Sequence, residues 1–210
     1  MTRVVILKYG MGNIDSVVRA VEECGGHPAV AERPEDLDRA THIIMPGVGA
    51  YSVGMANIRD RGFREKLEDE VMGRGVPILG ICLGMQFMAT KGHEGGETQG
   101  FGWIPGEVTR LVPSSPDERI PHIGWNNVSS VGSPALFSGI PRGKDFYFVH
   151  SYHLACRGRE HIIATTPYCG AFVSAVQREH IVGVQFHPEK SQKAGFQLIR
   201  NFLSMERCHA

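Results

Sequence analysis

The hydrophobic and polar positions in the first half of the chain alternate between two patterns. Short apolar runs of strand length are followed by stretches whose apolar residues recur every three or four positions, the period of an amphipathic helix. Strands that alternate with helices in this way favour a parallel sheet covered on both faces. We expect strands at residues 3–8, 41–45 and 76–81, and helices at 14–24 and 61–73.

The pattern changes in the second half, where Gly, Pro and Ser separate shorter apolar stretches. The segment from 100 to about 131 predicts a small antiparallel layer. Further strands are expected at 145–154, 161–166, 171–177 and 181–186, and a closing amphipathic helix at 191–205. No repeat or linker is visible, so the sequence predicts a single α/β domain over residues 1–210. Its central sheet is expected to be mostly parallel and flanked by helices, with a small antiparallel elaboration.

The carboxyl ends of the predicted strands define where a ligand would bind. In open α/β sheets, ligands bind outside these ends. The predicted strands finish near Lys8, Met45, Ile81 and, if the last strand joins the same sheet, Phe186. The residues that follow these positions are therefore the candidates for function.

The composition narrows the range of functions. The 210 residues carry 22 basic and 22 acidic side chains and no basic tract, which argues against nucleic-acid binding. No apolar run approaches a membrane span, and the N-terminal run is too short for a signal peptide. Five irregularly spaced cysteines argue against a disulfide framework and favour a reducing, cytoplasmic compartment. No Cys-x-x-Cys or His-x-x-x-His cluster occurs, so we predict no metal site and no cofactor.

Cys82 is the candidate nucleophile. It lies in the run Gly80-Ile81-Cys82-Leu83-Gly84, where a predicted strand passes directly into a helix. This Gly-x-Cys-x-Gly pattern is the thiol version of the nucleophile elbow, a sharp turn that holds the reactive atom above a sheet edge. The turn points the positive end of the helix dipole toward the sulfur, whose thiolate is the reactive form. Taken alone, the motif also fits a buried core thiol.

A candidate base follows a second predicted strand. His187 comes directly after the strand at 181–186, and Glu189 stands two residues further on. A cysteine nucleophile needs a base that takes and returns its proton, and the base needs an orienting group. Pro188 restricts the link between the two side chains. Cys82, His187 and Glu189 together predict a catalytic triad.

The elbow followed by His-x-Glu resembles the motif of the class I, or triad, glutamine amidotransferases. The likeness runs along the whole chain, and within that family it is similar to the glutaminase subunits of imidazole glycerol phosphate synthases. The segments that carry the resemblance are Tyr9-Gly10-Met11-Gly12-Asn13, Pro46-Gly47-Val48-Gly49-Ala50, Gly80-Ile81-Cys82-Leu83-Gly84-Met85-Gln86, Pro121-His122-Ile123-Gly124-Trp125-Asn126, Tyr147-Phe148-Val149-His150-Ser151-Tyr152 and Gly183-Val184-Gln185-Phe186-His187-Pro188-Glu189-Lys190-Ser191.

The resemblance implies a flavodoxin-like fold and a defined reaction. A subunit of this kind hydrolyses glutamine through a cysteinyl thioester. It passes the ammonia to a (β/α)8-barrel cyclase partner in a heterodimer. The partner makes imidazole glycerol phosphate and aminoimidazole carboxamide ribotide in histidine biosynthesis.

An oxyanion forms on the way to the thioester and must meet preorganised N–H donors. The backbone N–H of Leu83, just after the nucleophile, is one candidate. A backbone N–H from Gly47, Val48 or Gly49 is the other, although a Pro-Gly-x-Gly run alone could be an ordinary turn. The resemblance implies Val48 as the donor and places Gly49 beside the substrate.

Gln86, Ser151 and Tyr152 are candidate substrate contacts. Gln86 lies one helical turn beyond Cys82 and is expected to face the same pocket. The resemblance implies that its side chain binds glutamine, and that the backbone at Ser151 and Tyr152 holds the α-carboxylate of the substrate. A plain polar helix residue and a solvated strand end are the alternative interpretations.

The resemblance also implies a surface for the synthase partner. Asn13, Trp125, Tyr147 and Lys190 match family positions at that contact. The glycines before Asn13 do not have Gly-x-Gly-x-x-Gly spacing, and no Lys-Ser/Thr pair follows, so the sequence does not predict nucleotide binding there.

Three alternatives to this function remain at the level of sequence. Lys8 stands where the family has an acidic residue, and Cys169 interrupts a stretch that usually reads Tyr-Gly. A paralogous glutaminase that supplies ammonia for amidination of a surface-polysaccharide sugar is therefore one alternative. A non-catalytic, flavodoxin-like docking module is another. A cysteine peptidase or general hydrolase is the third, although Gln86 and Ser151–Tyr152 suit an α-amino acid better.

Overall fold

The computed structural model describes residues 2–208. The strands are β1 (Arg3–Leu7), β2 (His27–Ala31), β3 (His42–Gly47), β4 (Ile78–Cys82), β5 (Ala89–Gly92), β6 (Thr98–Gln99), β7 (Ile104–Arg110), β8 (His122–Ser130), β9 (Lys144–His150), β10 (Tyr152–Cys156), β11 (Ile162–Thr166), β12 (Phe172–Arg178) and β13 (Ile181–Val184). The helices are α1 (Ile14–Glu23), α2 (Tyr51–Asp60), α3 (Phe63–Leu67, continued by a π-helical turn over Glu68–Gly73), α4 (Leu83–Gln86) and α5 (Gln192–Leu203), with 3₁₀ turns at Pro34–Leu37, Ala135–Phe137 and Pro188–Lys190.

The strands form two sheets. The large sheet has nine strands in the order β2-β1-β3-β4-β13-β12-β11-β8-β9, and the small sheet has four in the order β10-β7-β5-β6. The first five strands in the order of the large sheet, β2-β1-β3-β4-β13, pair in parallel. From β13 to β12 and on through β11, β8 and β9, each pair is antiparallel. The predicted α/β fold class, with a sheet flanked by helices and an antiparallel elaboration, is confirmed.

The parallel strands are apolar on both faces because both faces are covered. All five residues of β4 are buried, as expected for a central strand of a parallel sheet. Side chains alternate between faces: Val5 and Leu7 pack in one core cluster, whereas Val4 and Ile6 pack in the other. These two clusters lie on opposite faces of the same sheet and fix its position between the helices.

The register of the parallel strands brings the predicted site to one edge. Gly47, at the end of β3, pairs with Cys82 at the end of β4. Val184, the last residue of β13, pairs with Ile81. The segment after β13 therefore begins beside the elbow, as the sequence predicts.

Two sequence predictions about the second half are wrong. The expected single strand at 145–154 is two strands, β9 and β10, which separate at Ser151 and belong to different sheets. The predicted antiparallel layer from 100 to about 131 is also divided, because β7 joins the small sheet and β8 joins the large one. Alternating apolar residues identify a strand but not its neighbours, so the pattern could not assign these strands to sheets.

The sequence also gave no signal for β2, α2, β5 and β6. Strand β2 is an edge strand that contains Pro28 and is only partly buried, so its apolar pattern is weak. Helix α2 contains Gly54, which lowers helix propensity but is needed because a Cβ there would collide with the Phe87 ring. Within residues 2–208, no helix combines the length and apolar character that a bilayer crossing requires.

Candidate active site

Cys82 occupies a strained turn between β4 and α4. Its φ is 54° and its ψ is −108°, a conformation that L residues rarely adopt. The flanking glycines make the turn possible. A Cβ on Gly84 would collide with the carbonyl oxygen of Met45, and one on Gly80 would lie 2.6 Å from the Gly84 carbonyl oxygen. The geometry is that of a nucleophile elbow.

The sulfur of Cys82 is almost completely enclosed. The residue is 6% exposed. Gln185 Nε2 donates to its Sγ over 3.6 Å, and Sγ lies 3.9 Å from the carbonyl oxygen of Val149. The long distances indicate weak interactions, so the sulfur is positioned mainly by the backbone of the elbow.

His187 and Glu189 form a buried hydrogen-bonded pair. The ring Nδ1 donates to Glu189 Oε1 over 2.8 Å, and the two side chains are 4% and 2% exposed. This bond leaves Nε2 as the atom that can exchange a proton. Nε2 is buried and has no hydrogen-bond partner among residues 2–208. Burial lowers the pKa of His187, but interactions with Cys82 and Glu189 outweigh it and raise the pKa to about 10. The three side chains therefore act on one another electrostatically.

Backbone contacts with β9 hold the base in place. The N–H of His187 donates to the carbonyl oxygen of Tyr147 over 2.9 Å. The hydroxyl of Ser191 donates to the carbonyl oxygen of His187 at 2.6 Å and accepts from the N–H of Tyr147 at 3.1 Å. Ser191 is 1% exposed. Tyr147 and His187 are thus joined twice, by a direct backbone bond and through the Ser191 hydroxyl.

A cavity of about 460 Å³ opens beside the elbow. It is lined by Val48, Gly49, Ala50, Cys82, Leu83, Gln86, Glu94, Pro121, Val149, His150, Ser151 and Tyr152. Most of the residues predicted to bind substrate or stabilise the oxyanion therefore meet in one place. Of the remaining predicted site residues, Gly47 lies opposite Cys82 in the sheet register. The His187 and Glu189 side chains are buried and are not among the residues that line this cavity.

The Pro46–Gly49 loop passes directly over the elbow. A Cβ on Gly47 would lie 2.5 Å from Tyr9 Oη and 2.8 Å from Leu83 Cβ. The same Tyr9 hydroxyl donates to the carbonyl oxygen of Pro46 over 2.6 Å, which anchors the start of the loop. Gly49 has a φ of 108°, and Val48 between the two glycines is 42% exposed. The close approach at Gly47 and the positive φ at Gly49 both require glycine.

Gln86 links the elbow to β10. Its Nε2 donates to the carbonyl oxygen of Tyr152 over 2.9 Å and to Gln185 Oε1 over 3.1 Å. Gln185 in turn donates to Cys82 Sγ. The side chain faces the pocket as predicted, and its amide hydrogens are held by protein groups.

A chain of hydrogen bonds leads from β8 to the same carbonyl. Asn126 Nδ2 lies 3.1 Å from His122 Nε2, His122 Nδ1 lies 3.1 Å from His150 Nε2, and His150 Nδ1 lies 2.9 Å from the Tyr152 oxygen. Because a carbonyl oxygen only accepts, one assignment satisfies the chain: Nδ1 of each histidine donates and Nε2 accepts. Burial lowers the pKa of His122 to about 4 and that of His150 to about 3, so both rings are neutral.

Sequence reasoning gave no role to several residues of this site. Gln185 falls inside the motif that contains His187, and a polar residue directly after an apolar strand is a usable signal. Glu94 has none: it is the carboxylate that lines the cavity, and its Oε2 accepts from the N–H of Tyr51 over 2.8 Å. The sequence suggests a structural or interfacial position for His122 and a wall position for His150, which lines the cavity. The bond between these two rings and the bond from the Tyr147 N–H to Ser191 join distant segments, which the sequence does not show.

Three of the residues predicted to contact a partner lie together on the surface. The ring of Trp125 meets that of Tyr147 edge to face at 6.0 Å, and Lys190 Nζ lies 5.7 Å from the centre of the Tyr147 ring. Trp125 is 49% exposed. The fourth, Asn13, is exposed at the start of α1, where its side chain accepts from the N–H of Ser16 over 3.3 Å.

Solved structures share this fold. A structure described as a glutamine amidotransferase superposes with a TM-score of 0.75 and 18% identity, over 95% of this chain and 96% of the other. The structure of PurLQS from Thermotoga maritima gives a TM-score of 0.73 and 19% identity, over 96% and 97% of the two chains. At these identities the likeness concerns the fold alone.

Sequence comparison is more specific. The family model for class-I glutamine amidotransferases matches residues 5–205. The chain is 43% identical to the imidazole glycerol phosphate synthase subunit HisH of Moorella thermoacetica, over 99% of this chain and 97% of the relative. It is 44% identical to the subunit of the same name from Mesorhizobium japonicum, over 96% and 98%. The chain belongs to the class-I glutamine amidotransferases and, within them, to the HisH subunits of imidazole glycerol phosphate synthase.

Proposed function

We propose that this chain hydrolyses glutamine with Cys82 as nucleophile, His187 as proton carrier and Glu189 as the group that orients His187. The observation that carries the proposal is the buried His187–Glu189 pair beside a strained cysteine elbow. The bond from Nδ1 to Glu189 fixes the ring so that Nε2 is available to the sulfur. Among the alternatives, a docking module would not need this arrangement.

The reaction begins when the sulfur, having given its proton to His187 Nε2, attacks the side-chain amide carbon of glutamine. A carbon–sulfur bond forms and the amide oxygen becomes an oxyanion. Collapse of this intermediate breaks the carbon–nitrogen bond, and His187 gives its proton to the leaving ammonia. Water then attacks the thioester, its proton passes to His187, and glutamate leaves as the carbon–sulfur bond breaks. Burial lowers the pKa of His187, but interactions with Cys82 and Glu189 raise it to about 10, which favours the state in which the ring has taken the proton from the sulfur.

The cavity suits an amino acid whose side chain points at the elbow. We assign oxyanion stabilisation to the backbone of Leu83 and of the Gly47–Val48 segment, which meet above Cys82. Gly49, Gln86, Ser151 and Tyr152 would surround the body of the substrate. Glu94 supplies a carboxylate in the same cavity and is a candidate partner for the α-ammonium group of glutamine.

The ammonia requires an acceptor outside this chain. The relatives are named as subunits of imidazole glycerol phosphate synthase, and a free glutaminase would waste glutamine. We infer that the partner is a (β/α)8-barrel cyclase in a heterodimer, in the cytoplasm. It would use the ammonia to form imidazole glycerol phosphate and aminoimidazole carboxamide ribotide in histidine biosynthesis. The Trp125–Tyr147–Lys190 cluster and Asn13 are the residues we assign to this contact.

The full-length likeness to HisH subunits does not favour the surface-polysaccharide alternative. Lys8, which motivated it, pairs with Glu32 over 2.6 Å at an exposed position, so its charge is balanced within this chain. We also infer that residues 1–210 work as one amidotransferase domain, which the family match over 5–205 supports.

Replacement of the nucleophile tests the division of labour. In the complex with the cyclase, we expect Cys82→Ser to abolish synthesis from glutamine and leave synthesis from added ammonium salt intact. The thiol serves ammonia release alone, and the acceptor chemistry belongs to the partner. The two rates are measured side by side on one preparation, with Cys156→Ser as the matched cysteine control. Equal loss of both activities in Cys82→Ser would contradict the proposal.

A further inference from the structure

A second cluster of chemically reactive side chains lies at the opposite end of the central strands of the large sheet from Cys82. Glu179 and His180 form the tight turn between β12 and β13, and Cys208 lies beside them in the segment after α5. A ring nitrogen of His180, a carboxylate oxygen of Glu179 and the sulfur of Cys208 all lie within 4.8 Å of one another. The glutaminase site described above uses none of these groups.

His180 presents a free nitrogen. The residue is 8% exposed, and its Nε2 lies 2.8 Å from the carbonyl oxygen of Val71. Because that oxygen only accepts, Nε2 carries the ring proton and Nδ1 keeps a lone pair. Nδ1 is buried and has no hydrogen-bond partner among residues 2–208. A histidine whose second nitrogen donates to a backbone carbonyl, with the first left free, has the arrangement of a metal ligand.

The other two groups complete the donor set. Cys208 Sγ lies 3.8 Å from Glu179 Oε2. With Zn–S and Zn–O bonds of ordinary length, the sulfur and oxygen ligands of one tetrahedral zinc ion lie about 3.6 Å apart. The pair therefore needs little adjustment to share an ion. Thiolate, imidazole and carboxylate together favour zinc over magnesium or calcium.

Three hydrogen bonds to backbone carbonyl oxygens hold the segment that carries Cys208. The N–H of Cys208 donates to the carbonyl oxygen of Gly75 over 3.1 Å. Arg207 Nη2 donates to the carbonyl oxygen of Ala40 over 2.7 Å, and His42 Nε2 lies 3.0 Å from that of Met205. The thiol is therefore kept beside the turn before any ion binds. Preorganisation of this kind lowers the cost of assembling a site.

We propose that Glu179, His180 and Cys208 form a binding site for a zinc-type divalent cation, which joins the C-terminal segment to the β12–β13 turn. The ion takes three ligands from this chain and keeps a fourth position for solvent. Glu179 and Cys208 stand 29 positions apart in the sequence, so the spacing rules that predict no metal site could not detect it. We expect the bound ion to affect the stability of the fold. His180 contacts Ile78 at the start of β4, whereas the elbow lies at the end of that strand.

Metal titration tests the proposal. The triad also consists of Cys, His and Glu and could bind the metal itself. The titration therefore uses the full chain with Cys82→Ser and without an affinity tag. Metal-free protein is titrated with Co²⁺, whose bond to a thiolate produces a charge-transfer absorption, and then with Zn²⁺ as competitor. We expect one Co²⁺ per chain, loss of the absorption on adding Zn²⁺, and a rise in Tm with Zn²⁺.

Added substitutions locate the ion. With Cys208→Ser we expect the charge-transfer band and the Zn²⁺-dependent rise in Tm to disappear. With His180→Gln we expect affinity to fall at least about 10²-fold, more than the loss of an outer-shell partner costs. Cys156→Ser is the matched control and should bind as before. In the chain that retains Cys82, Cys208→Ser should leave the glutaminase rate of the complex unchanged.

Three results would overturn the site. The first is the absence of a charge-transfer band in the Cys82→Ser chain. The second is a band that survives the added Cys208→Ser substitution, and the third is a band that is lost with Cys156→Ser. Circular dichroism checks that each variant is folded. Because Glu179 is exposed at the turn, Glu179→Gln removes a proposed ligand without altering the core, and we expect it to weaken Co²⁺ binding as well.

Discussion

His187 exchanges the proton in the proposed reaction, and Glu189 only orients it. We expect His187→Ala to reduce the glutaminase rate of the complex by about 10²- to 10⁴-fold, the usual contribution of general acid–base catalysis. Glu189→Ala should cost less, because orientation is a smaller effect than proton transfer. Single-turnover measurement of glutamate release separates these steps from partner binding.

The double variant His187→Ala/Glu189→Ala provides the control. Members of a triad act as a unit, so the double loss should be close to that of His187→Ala alone. Near wild-type turnover in His187→Ala would assign the base to another histidine. His150 and His153 are the next candidates, since both flank the Ser151–Tyr152 wall of the cavity.

The neutral His122–His150 pair predicts an acid limit to stability. Burial lowers the pKa of His122 to about 4 and that of His150 to about 3, whereas unfolded histidine titrates near 6.5. A depressed pKa contributes stability that is present above about pH 6.5 and is lost as the pH falls toward the folded values, because the unfolded chain binds more protons. We expect the free energy of unfolding to fall steadily below pH 6.5.

Urea titrations between pH 7 and 4 measure this slope. In His122→Gln the slope should be shallower, since one depressed histidine is removed. His27→Gln, at an exposed position of the edge strand β2, is the matched control and should retain the full slope. Parallel slopes in all three proteins would show that the two buried histidines do not determine acid stability.

At the scale of elements, the elbow depends on space that glycine alone leaves. A Cβ on Gly84 would collide with the carbonyl oxygen of Met45, whereas a Cβ on Gly73 would meet an oxygen of Asp69 at 3.4 Å. We expect Gly84→Ala to destabilise the fold by about 1–3 kcal/mol, the range for overpacking. Gly73→Ala should stay within about 0.5 kcal/mol. Thermal unfolding measures the stability of both variants. If Gly84→Ala melted at the same temperature as Gly73→Ala, β3 and α4 would be able to move apart and make room for the added methyl group.

The elements around the elbow were predictable because local pattern determines them. Strand β4, the Gly-x-Cys-x-Gly turn and the His-x-Glu segment after β13 are contiguous in sequence, and parallel strands bring their ends together. The fold class follows from the same alternation of strands and helices. These features require no knowledge of which distant strands pair.

The parts that escaped prediction depend on distant pairing. The break at Ser151 moves the chain from the large sheet to the small one, and the periodicity on its two sides is continuous. Gln185 and Glu94 acquire their partners only through the fold, and so does Ser191 its bond from the N–H of Tyr147. The roles of the triad, oxyanion and partner-contact residues stay predictions, since their tests are kinetic.

For the molecule as a whole, the proposed partner surface and the triad are mechanically connected. The ring of Tyr147 belongs to the Trp125–Tyr147–Lys190 cluster, while its backbone bonds to His187 directly and through Ser191. Lys190 follows Glu189 in the same 3₁₀ turn. A partner seated on this cluster would therefore press on the segment that carries the base. The proposed partner surface can therefore be coupled to the triad through Tyr147 and Ser191 alone, without a longer chain of residues.

The last prediction concerns activation by the partner. We expect glutamine hydrolysis to rise at least about a hundredfold from the isolated subunit to the complex with bound acceptor ligand, mainly in turnover. The physical reason is the Pro46–Gly49 loop, whose glycines make a flip of the Val48 peptide inexpensive. In one state a carbonyl would face the oxyanion and in the other an N–H, and one lost donor costs roughly 10²- to 10³-fold. Steady-state assays with and without partner and ligand measure the difference. Full activity of the isolated chain would mean that the oxyanion site is already formed, and the two-state loop would have to be abandoned.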